Sequence, residues 1–205
     1  MAVGEAPGES EDREGRPFVG AAGKLLTQLL EGIGLRREDI FITNVIKCRP
    51  PQNRDPNPEE VAACSHFLDE QIELIHPDVI LVLGRHASAR LLPGHPGISR
   101  IHGRRVQVGE RLYVPLFHPA AALYNGSMLA TLRDDMERVR EYLAEAEAER
   151  RLAAWRASTS PQSQPAAEPL ELGLELTPPP LETALPLQMD DAVPALAVEG
   201  QLSLF

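Results

Sequence analysis

The segment "DVILVLG" at residues 78–84 constrains the fold most strongly, because its five central residues are all apolar. A short strand that is apolar at every position has to be covered on both faces, as in a parallel sheet between helices. The apolar pattern predicts a second strand over residues 39–48. It predicts helices over residues 21–35, 58–75 and 127–155. This alternation predicts an α/β fold with three layers and a mainly parallel sheet.

The ends of the predicted strands are the candidate binding positions, since ligands of such folds bind beyond the carboxyl ends of the strands. A hairpin that turns at Gly109 leads into His118, and Asn44 ends another predicted strand. The loop from Gly4 to Gly8 allows close backbone approach and offers the Glu5 carboxylate. Each feature has an ordinary structural explanation as a turn, a cap or a buried histidine. With Gly84, which follows the apolar strand, they mark four strand ends and together favour a single pocket.

The last quarter of the chain differs sharply in composition from the rest. Residues 157–205 contain no lysine or arginine, seven acidic residues and eight of the 19 prolines. Such a segment cannot bury enough apolar surface to offset its chain entropy. The sequence therefore predicts a folded domain over residues 1–156 and a disordered acidic tail over residues 157–205. Of the net charge of −10, the tail carries −7 and the domain −3, so nucleic acid is not excluded as a partner.

No segment approaches the roughly 20 apolar residues of a membrane span, and no signal peptide is visible. We therefore expect a soluble, cytoplasmic protein. The two cysteines, Cys48 and Cys64, do not form a disulfide framework. Two buried free thiols are the default interpretation, and thiolate ligation of an iron–sulfur cluster is the alternative.

Four segments together resemble one family: "GEAPGESEDREGRPFVGAAGKLL", "ITNVIKCRPPQNRDPNPEEVAAC", "LGRHA" and "PLFHPAAAL". They resemble the type-4 uracil-DNA glycosylases, the iron–sulfur branch of their superfamily, over roughly residues 1–143. The resemblance implies a four-stranded parallel sheet in an α/β/α sandwich, a role in DNA repair, and a [4Fe–4S] cluster held by four cysteines. Cys48 and Cys64 match the second ligand pair. The first pair is absent, and we expect a start codon placed too far downstream rather than a lost half-site.

The resemblance also implies a role for each residue at the strand ends. Phe18 would stack on a flipped uracil, and Asn44 would read its edge. His118 would stabilise the negative charge that develops on the departing base. Glu5 would position or activate the attacking water, or stabilise the cationic sugar. The remaining residues expected to contact the substrate are Gly4, Pro7 and Gly8.

Contacts with the DNA backbone and groove are expected outside this pocket. Pro119 to Leu123 would form a loop that enters the minor groove, with Leu123 as the candidate wedge. Tyr124 stands where the family commonly has arginine, and Arg49, with Lys47 and Arg54, would approach phosphates. A monomer acting on uracil-containing DNA, associated with a bacterial nucleoid, is the expected assembly.

The final five residues resemble a short docking motif. Gln201, Leu202, Ser203, Leu204 and Phe205 are similar to the peptide with which bacterial repair proteins bind the sliding clamp. The sequence thus implies a uracil-DNA glycosylase with the clamp as a partner. Two alternatives remain open at this stage. The chain could be a truncated, catalytically impaired remnant that binds DNA or the clamp, or a member of the superfamily with a different base preference.

Overall fold

The structure, a computed structural model, describes residues 1–159. The described part contains a five-stranded sheet in the order β2-β1-β3-β5-β4. Strands β1, β2, β3 and β5 run parallel, and β4 pairs antiparallel with β5 at the edge. The strands are β1 (Ala2–Gly4), β2 (Ile42–Asn44), β3 (Val79–Leu83), β4 (Val106–Val108) and β5 (Arg111–Leu116).

The α/β fold class is confirmed, and the strand count needs a correction from four to five. The four parallel strands match the expected sheet. The fifth strand, β4, is the first arm of the hairpin expected at Gly109, where φ is +61°. This hairpin extends the sheet by one antiparallel edge strand because the tight turn places β4 directly beside β5.

Seven α-helices occur in the described residues, together with two short 3-10 turns at Arg37–Asp39 and Pro51–Asn53. The last helix continues to Thr159, three residues beyond the expected domain boundary at residue 156. The predicted disordered tail lies outside the described residues, apart from its first three positions. The helices are α1 (Glu9–Glu14), α2 (Ala21–Gly32), α3 (Pro58–Ile75), α4 (Arg85–Leu91), α5 (Ile98–Ile101), α6 (Pro119–Ala122) and α7 (Gly126–Thr159).

Two hydrophobic clusters lie on opposite faces of the sheet, and β3 contributes to both. Val79, Leu81 and Leu83 join the cluster that contains residues of α2 and α7. Ile80 and Val82 join the other cluster, with residues of α3 and α4. All five strand residues are buried, because successive side chains point to opposite faces and helices cover both. This arrangement explains the continuous apolar run and establishes the three layers.

The parallel strands bring their carboxyl ends to one edge of the sheet. Glu5 follows β1, Asn44 is the last residue of β2, and His118 lies two residues after β5. Gly84 follows β3 with φ of +91°, and a Cβ atom there would lie 3.0 Å from the Cβ of His118. Glycine at this position therefore allows the loop after β5 to approach the end of β3. None of the helices in residues 1–159 is long and apolar enough to cross a membrane.

Candidate active site

A cavity of about 390 Å³ opens at the carboxyl edge of the sheet. It is lined by six of the residues expected to bind or act on the substrate, and Gly4 lies directly beneath the side chains of Asn44 and Phe18. Loop residues 50 and 53–55 line the opposite side. The predicted residues in the lining are Glu5, Pro7, Gly8, Phe18, Asn44 and His118.

Asn44 presents an unused hydrogen-bond acceptor inside the protein. Its side chain is buried, and Oδ1 has no hydrogen-bond partner among the described residues. A buried polar atom without a partner costs free energy, so such atoms commonly mark places where a ligand or water completes the bonding. An amide at this position can accept from an N–H and donate to a carbonyl of one planar partner.

Phe18 is held in a backbone conformation that a non-glycine residue seldom adopts, with φ of +53°. Its ring lies 5.6 Å from the imidazole ring of His118, centroid to centroid, with an angle of 29° between the planes. Gly23 accommodates the turn, because a Cβ atom there would lie 1.9 Å from the carbonyl oxygen of Phe18. Strain of this kind persists only where neighbouring structure fixes the residue, and it is concentrated at functional sites.

Glu11 supplies the bonds that fix both loops around Phe18, although the sequence analysis gave it no role. Its Oε1 accepts from the backbone N–H groups of Val19 at 2.9 Å and Gly20 at 2.8 Å, and Oε2 accepts from that of Gly8 at 3.1 Å. These backbone bonds hold the pKa of Glu11 below its ordinary value despite burial of the carboxylate. The available sequence signal was the spacing of a capping box, with Glu11 three residues after Gly8 at the start of α1.

The imidazole of His118 is oriented by the short helix that follows it. The backbone N–H of Ala120 donates to Nδ1 at 3.2 Å, so the neutral ring carries its proton on Nε2. Burial lowers the pKa of His118, and the negative charge of Glu11 opposes the shift. A neutral ring is therefore favoured, and Nε2–H is free to donate to a ligand in the cavity.

Glu5 is a half-buried carboxylate directly after the carboxyl end of β1. Burial raises its pKa, and Asp55 adds to the rise, while His86 and Arg85 oppose it. A carboxylate whose pKa moves towards neutrality is better matched to proton transfer than an exposed one. Glu5 is therefore suited to act on a water molecule within the cavity.

Lys47 stabilises the strand end that carries Asn44 and is not a free surface cation. Its Nζ donates to the carbonyl of Asn44 and to Gln71 Oε1, both at 2.8 Å, and to Thr43 Oγ1 at 2.9 Å. Burial lowers the pKa of Lys47 to about 8. The three bonds assign this lysine to support of the site, and its approach to phosphates remains a prediction.

The residues expected to contact DNA differ from one another in burial and in hydrogen bonding. Pro119 is buried in the first turn of α6, and its contact with a DNA groove remains a prediction. Leu123 is half-buried at the end of α6, whereas the side chain of Tyr124 is 96% exposed. Arg49 Nε donates to Asn53 Oδ1 at 2.8 Å, and its guanidinium lies 3.7 Å from Glu9. Tyr124 is thus the most prominent apolar group of this loop.

The two cysteines do not form a complete cluster site with the other described residues. Cys48 is exposed at the start of the Pro-rich loop, and Cys64 is half-buried in α3. A [4Fe–4S] cluster takes four thiolates, and the chain has two cysteines. Within residues 1–159, the groups of three or more potential ligands include neither cysteine. The residues present therefore do not fit a [4Fe–4S] cluster, and no step of the chemistry below depends on one.

The fold and cavity define an α/β protein with a pocket of about 390 Å³ at the carboxyl ends of its parallel strands. The family model of the uracil DNA glycosylase superfamily matches residues 1–145. The chain belongs to this superfamily.

Its relatives include three type-4 uracil-DNA glycosylases. That of Sulfurisphaera tokodaii is 49% identical over 150 residues, which cover 69% of this chain and 68% of the relative. That of Thermotoga maritima is 48% identical over 145 residues, covering 69% and 76%. That of Archaeoglobus fulgidus is 49% identical over 147 residues, covering 68% and 74%.

Proposed function

We propose that this protein hydrolyses the N-glycosidic bond of deoxyuridine in DNA, releasing uracil and leaving an abasic site. The observation that carries the proposal is the unpartnered Oδ1 of Asn44 in a cavity that also contains Phe18, Glu5 and the Nε2–H of His118. Membership of the superfamily and similarity to type-4 enzymes support the same activity. We further propose that the protein acts as a monomer.

Recognition of uracil follows from the bonding capacity of Asn44. A base buried in the duplex has to be flipped out before it can enter a pocket of this kind. Phe18 stacks on the flipped ring, Asn44 Oδ1 accepts from uracil N3–H, and the amide N–H donates to O4. Cytosine has no proton on N3 and carries an amino group in place of O4, so it leaves both amide groups mismatched and is rejected.

Hydrolysis breaks the bond between the sugar C1′ and the base N1. The bonding electrons leave with uracil, and the resulting negative charge spreads to O2, where His118 Nε2–H donates a hydrogen bond. The oxygen of water forms the new bond to C1′, which carries positive charge in the transition state. Glu5 stabilises that charge and accepts a proton from the water. The proton is finally transferred to the uracil anion, so the products are neutral uracil and an abasic deoxyribose.

A single-turnover assay with a uracil-containing oligonucleotide tests this proposal. The protein is expected to release uracil and to leave cytosine and thymine in matched oligonucleotides. Asn44→Ala is expected to lose about 10²-fold or more in rate, since a buried polar contact to the substrate is removed. Gln28→Ala, which removes an exposed amide on α2, is the control and should retain the wild-type rate. Absence of uracil release would favour a binding remnant, and release of another base would favour a different base preference.

We also propose that residues 201–205 bind the bacterial sliding clamp. These residues lie outside the described part of the chain, and the proposal is supported by the sequence "QLSLF" alone. Gln201 would bond at the rim of a pocket, and Leu204 with Phe205 would fill it. Attachment to a clamp already on DNA would raise the effective concentration of the enzyme at its substrate.

A peptide covering residues 190–205 is expected to bind the clamp with micromolar affinity, on the order of −8 kcal/mol. Deleting residues 201–205 from the full chain should abolish clamp binding and leave uracil release from short oligonucleotides unchanged, because the cavity lies within the described residues. Isothermal titration calorimetry measures the first effect, and the single-turnover assay measures the second. Equal clamp binding by the intact and shortened proteins would contradict the proposal.

A further inference from the structure

A cluster of three side chains lies beside the cavity and joins Glu5 to the start of α4. His86 Nε2 lies 3.8 Å from Glu5 Oε1 and 3.4 Å from Asp55 Oδ1. One ligand-capable atom of each residue lies within 4.8 Å of the other two. Arg85, next to His86 in the chain, pairs with the other carboxylate oxygen of Asp55. Glu5 is thus connected to a second carboxylate and a guanidinium through one imidazole.

His86 is the member of this cluster whose bonding is incomplete. Its Nε2 is buried from solvent and forms no hydrogen bond with any of the described residues. Asp55 is already engaged by Arg85, and its side chain is 61% exposed, so solvent also satisfies it. Within residues 1–159, the Glu5 carboxylate has no such partner apart from the His86 contact. A small movement of the Glu5 side chain would convert the 3.8 Å contact into a hydrogen bond.

We propose that His86 is a positioning residue that holds the Glu5 carboxylate, ionised and correctly oriented, against the attacking water. The inference rests on the proposed function of Glu5 and adds a role for a residue of the "LGRHA" segment. A donor at Nε2 bonds one carboxylate oxygen of Glu5 and leaves the other free to accept a proton from water. The position of His86 at the start of α4, directly after β3, makes the donor rigid.

The charges around Glu5 give this role a measurable signature. Besides burial, which raises the pKa of Glu5, Asp55 raises it while His86 and Arg85 lower it. Removing His86 leaves burial and Asp55 as the stronger influences, so the pKa of Glu5 should rise further. Neutralising Asp55 removes a raising influence and frees Arg85, so the pKa should fall. If His86 only supported the fold, removing His86 and neutralising Asp55 would not shift the pKa of Glu5 in opposite directions.

The test measures single-turnover uracil release by the full chain as a function of pH, at saturating DNA and with EDTA present to exclude adventitious cations. His86→Ala is expected to lower the maximal rate up to about 100-fold, the scale of a misplaced catalytic group. It should also move the acid limb of the profile to higher pH. Asp55→Asn should move the same limb to lower pH. His86→Gln should recover much of the rate, because its amide N–H can donate from nearly the same place.

Two controls make the result interpretable. His95→Ala removes an exposed histidine that is not part of the cavity lining and should match wild type. Thermal melting of each variant shows whether a rate loss reflects unfolding. Because the Asp55 side chain is exposed, Asp55→Asn tests the effect of its charge on the pKa of Glu5. An unchanged rate and acid limb in folded His86→Ala, or shifts of both variants in the same direction, would overturn the inference. Failure of the wild-type protein to release uracil would instead overturn the proposed function.

Discussion

Replacing His118 by alanine is expected to slow uracil release about 10²- to 10³-fold at saturating DNA, the usual cost of removing a preorganised donor to a developing anion. The structure gives three reasons for this expectation. The N–H of Ala120 occupies Nδ1, so the neutral ring has its donor on Nε2. Burial keeps the ring neutral by lowering its pKa, and His118 lines the same cavity as Asn44 and Glu5.

The loss should fall on the chemical step and not on DNA binding, because the bond to uracil O2 strengthens only as charge develops. Fluorescence anisotropy with a noncleavable oligonucleotide should therefore give similar dissociation constants for His118→Ala and wild type. His118 should also remain neutral, with its bond from Ala120 intact, as pH falls to 6.5, the ordinary pKa of histidine, because burial lowers its pKa below that value. Full activity of His118→Ala would remove His118 from the mechanism.

The sequence predicted the layers of this fold because a strand that is buried on both faces is apolar at every position, as β3 is. The alternation of strands and helices then placed Glu5, Asn44 and His118 at strand ends, and the structure brings all three to one cavity. The hairpin at Gly109 indicated a fifth strand, but the resemblance to the family implied only the four parallel strands. The general architecture and the main candidate residues were thus accessible from local patterns and the resemblance.

The supporting residues could not be predicted in this way, because their roles depend on contacts between distant parts of the chain. His86 and Asp55 are 31 positions apart in the chain, and the 3.4 Å contact between their side chains exists only in the folded protein. The burial of Pro119 could not be predicted either, because it depends on the short helix into which the segment after His118 folds. The three internal hydrogen bonds of Lys47, which support the strand end at Asn44, also join groups that the sequence does not show to be neighbours.

Gly4 illustrates how a residue with no side chain can decide whether the pocket exists. Gly4 is the last residue of β1, directly under both recognition side chains. A Cβ atom at this position would lie 2.5 Å from Asn44 Oδ1 and 2.5 Å from Phe18 Cζ, well inside contact distance. Both side chains would have to move, because the backbone of β1 is fixed by pairing with β2 and β3.

Gly4→Ala is therefore expected to reduce uracil release at least about 100-fold, since displacing the groups that hold a substrate by 1 Å costs roughly this much. Gly32→Ala is the matched control: a Cβ atom at the end of α2 meets nothing within 4 Å, so this variant should keep the wild-type rate and gain up to about 1 kcal/mol of stability. Single-turnover rates and melting temperatures measured on the same preparations separate a damaged pocket from an unfolded protein. A folded Gly4→Ala protein that releases uracil at the wild-type rate would show that Asn44 and Phe18 do not form the base-binding pocket.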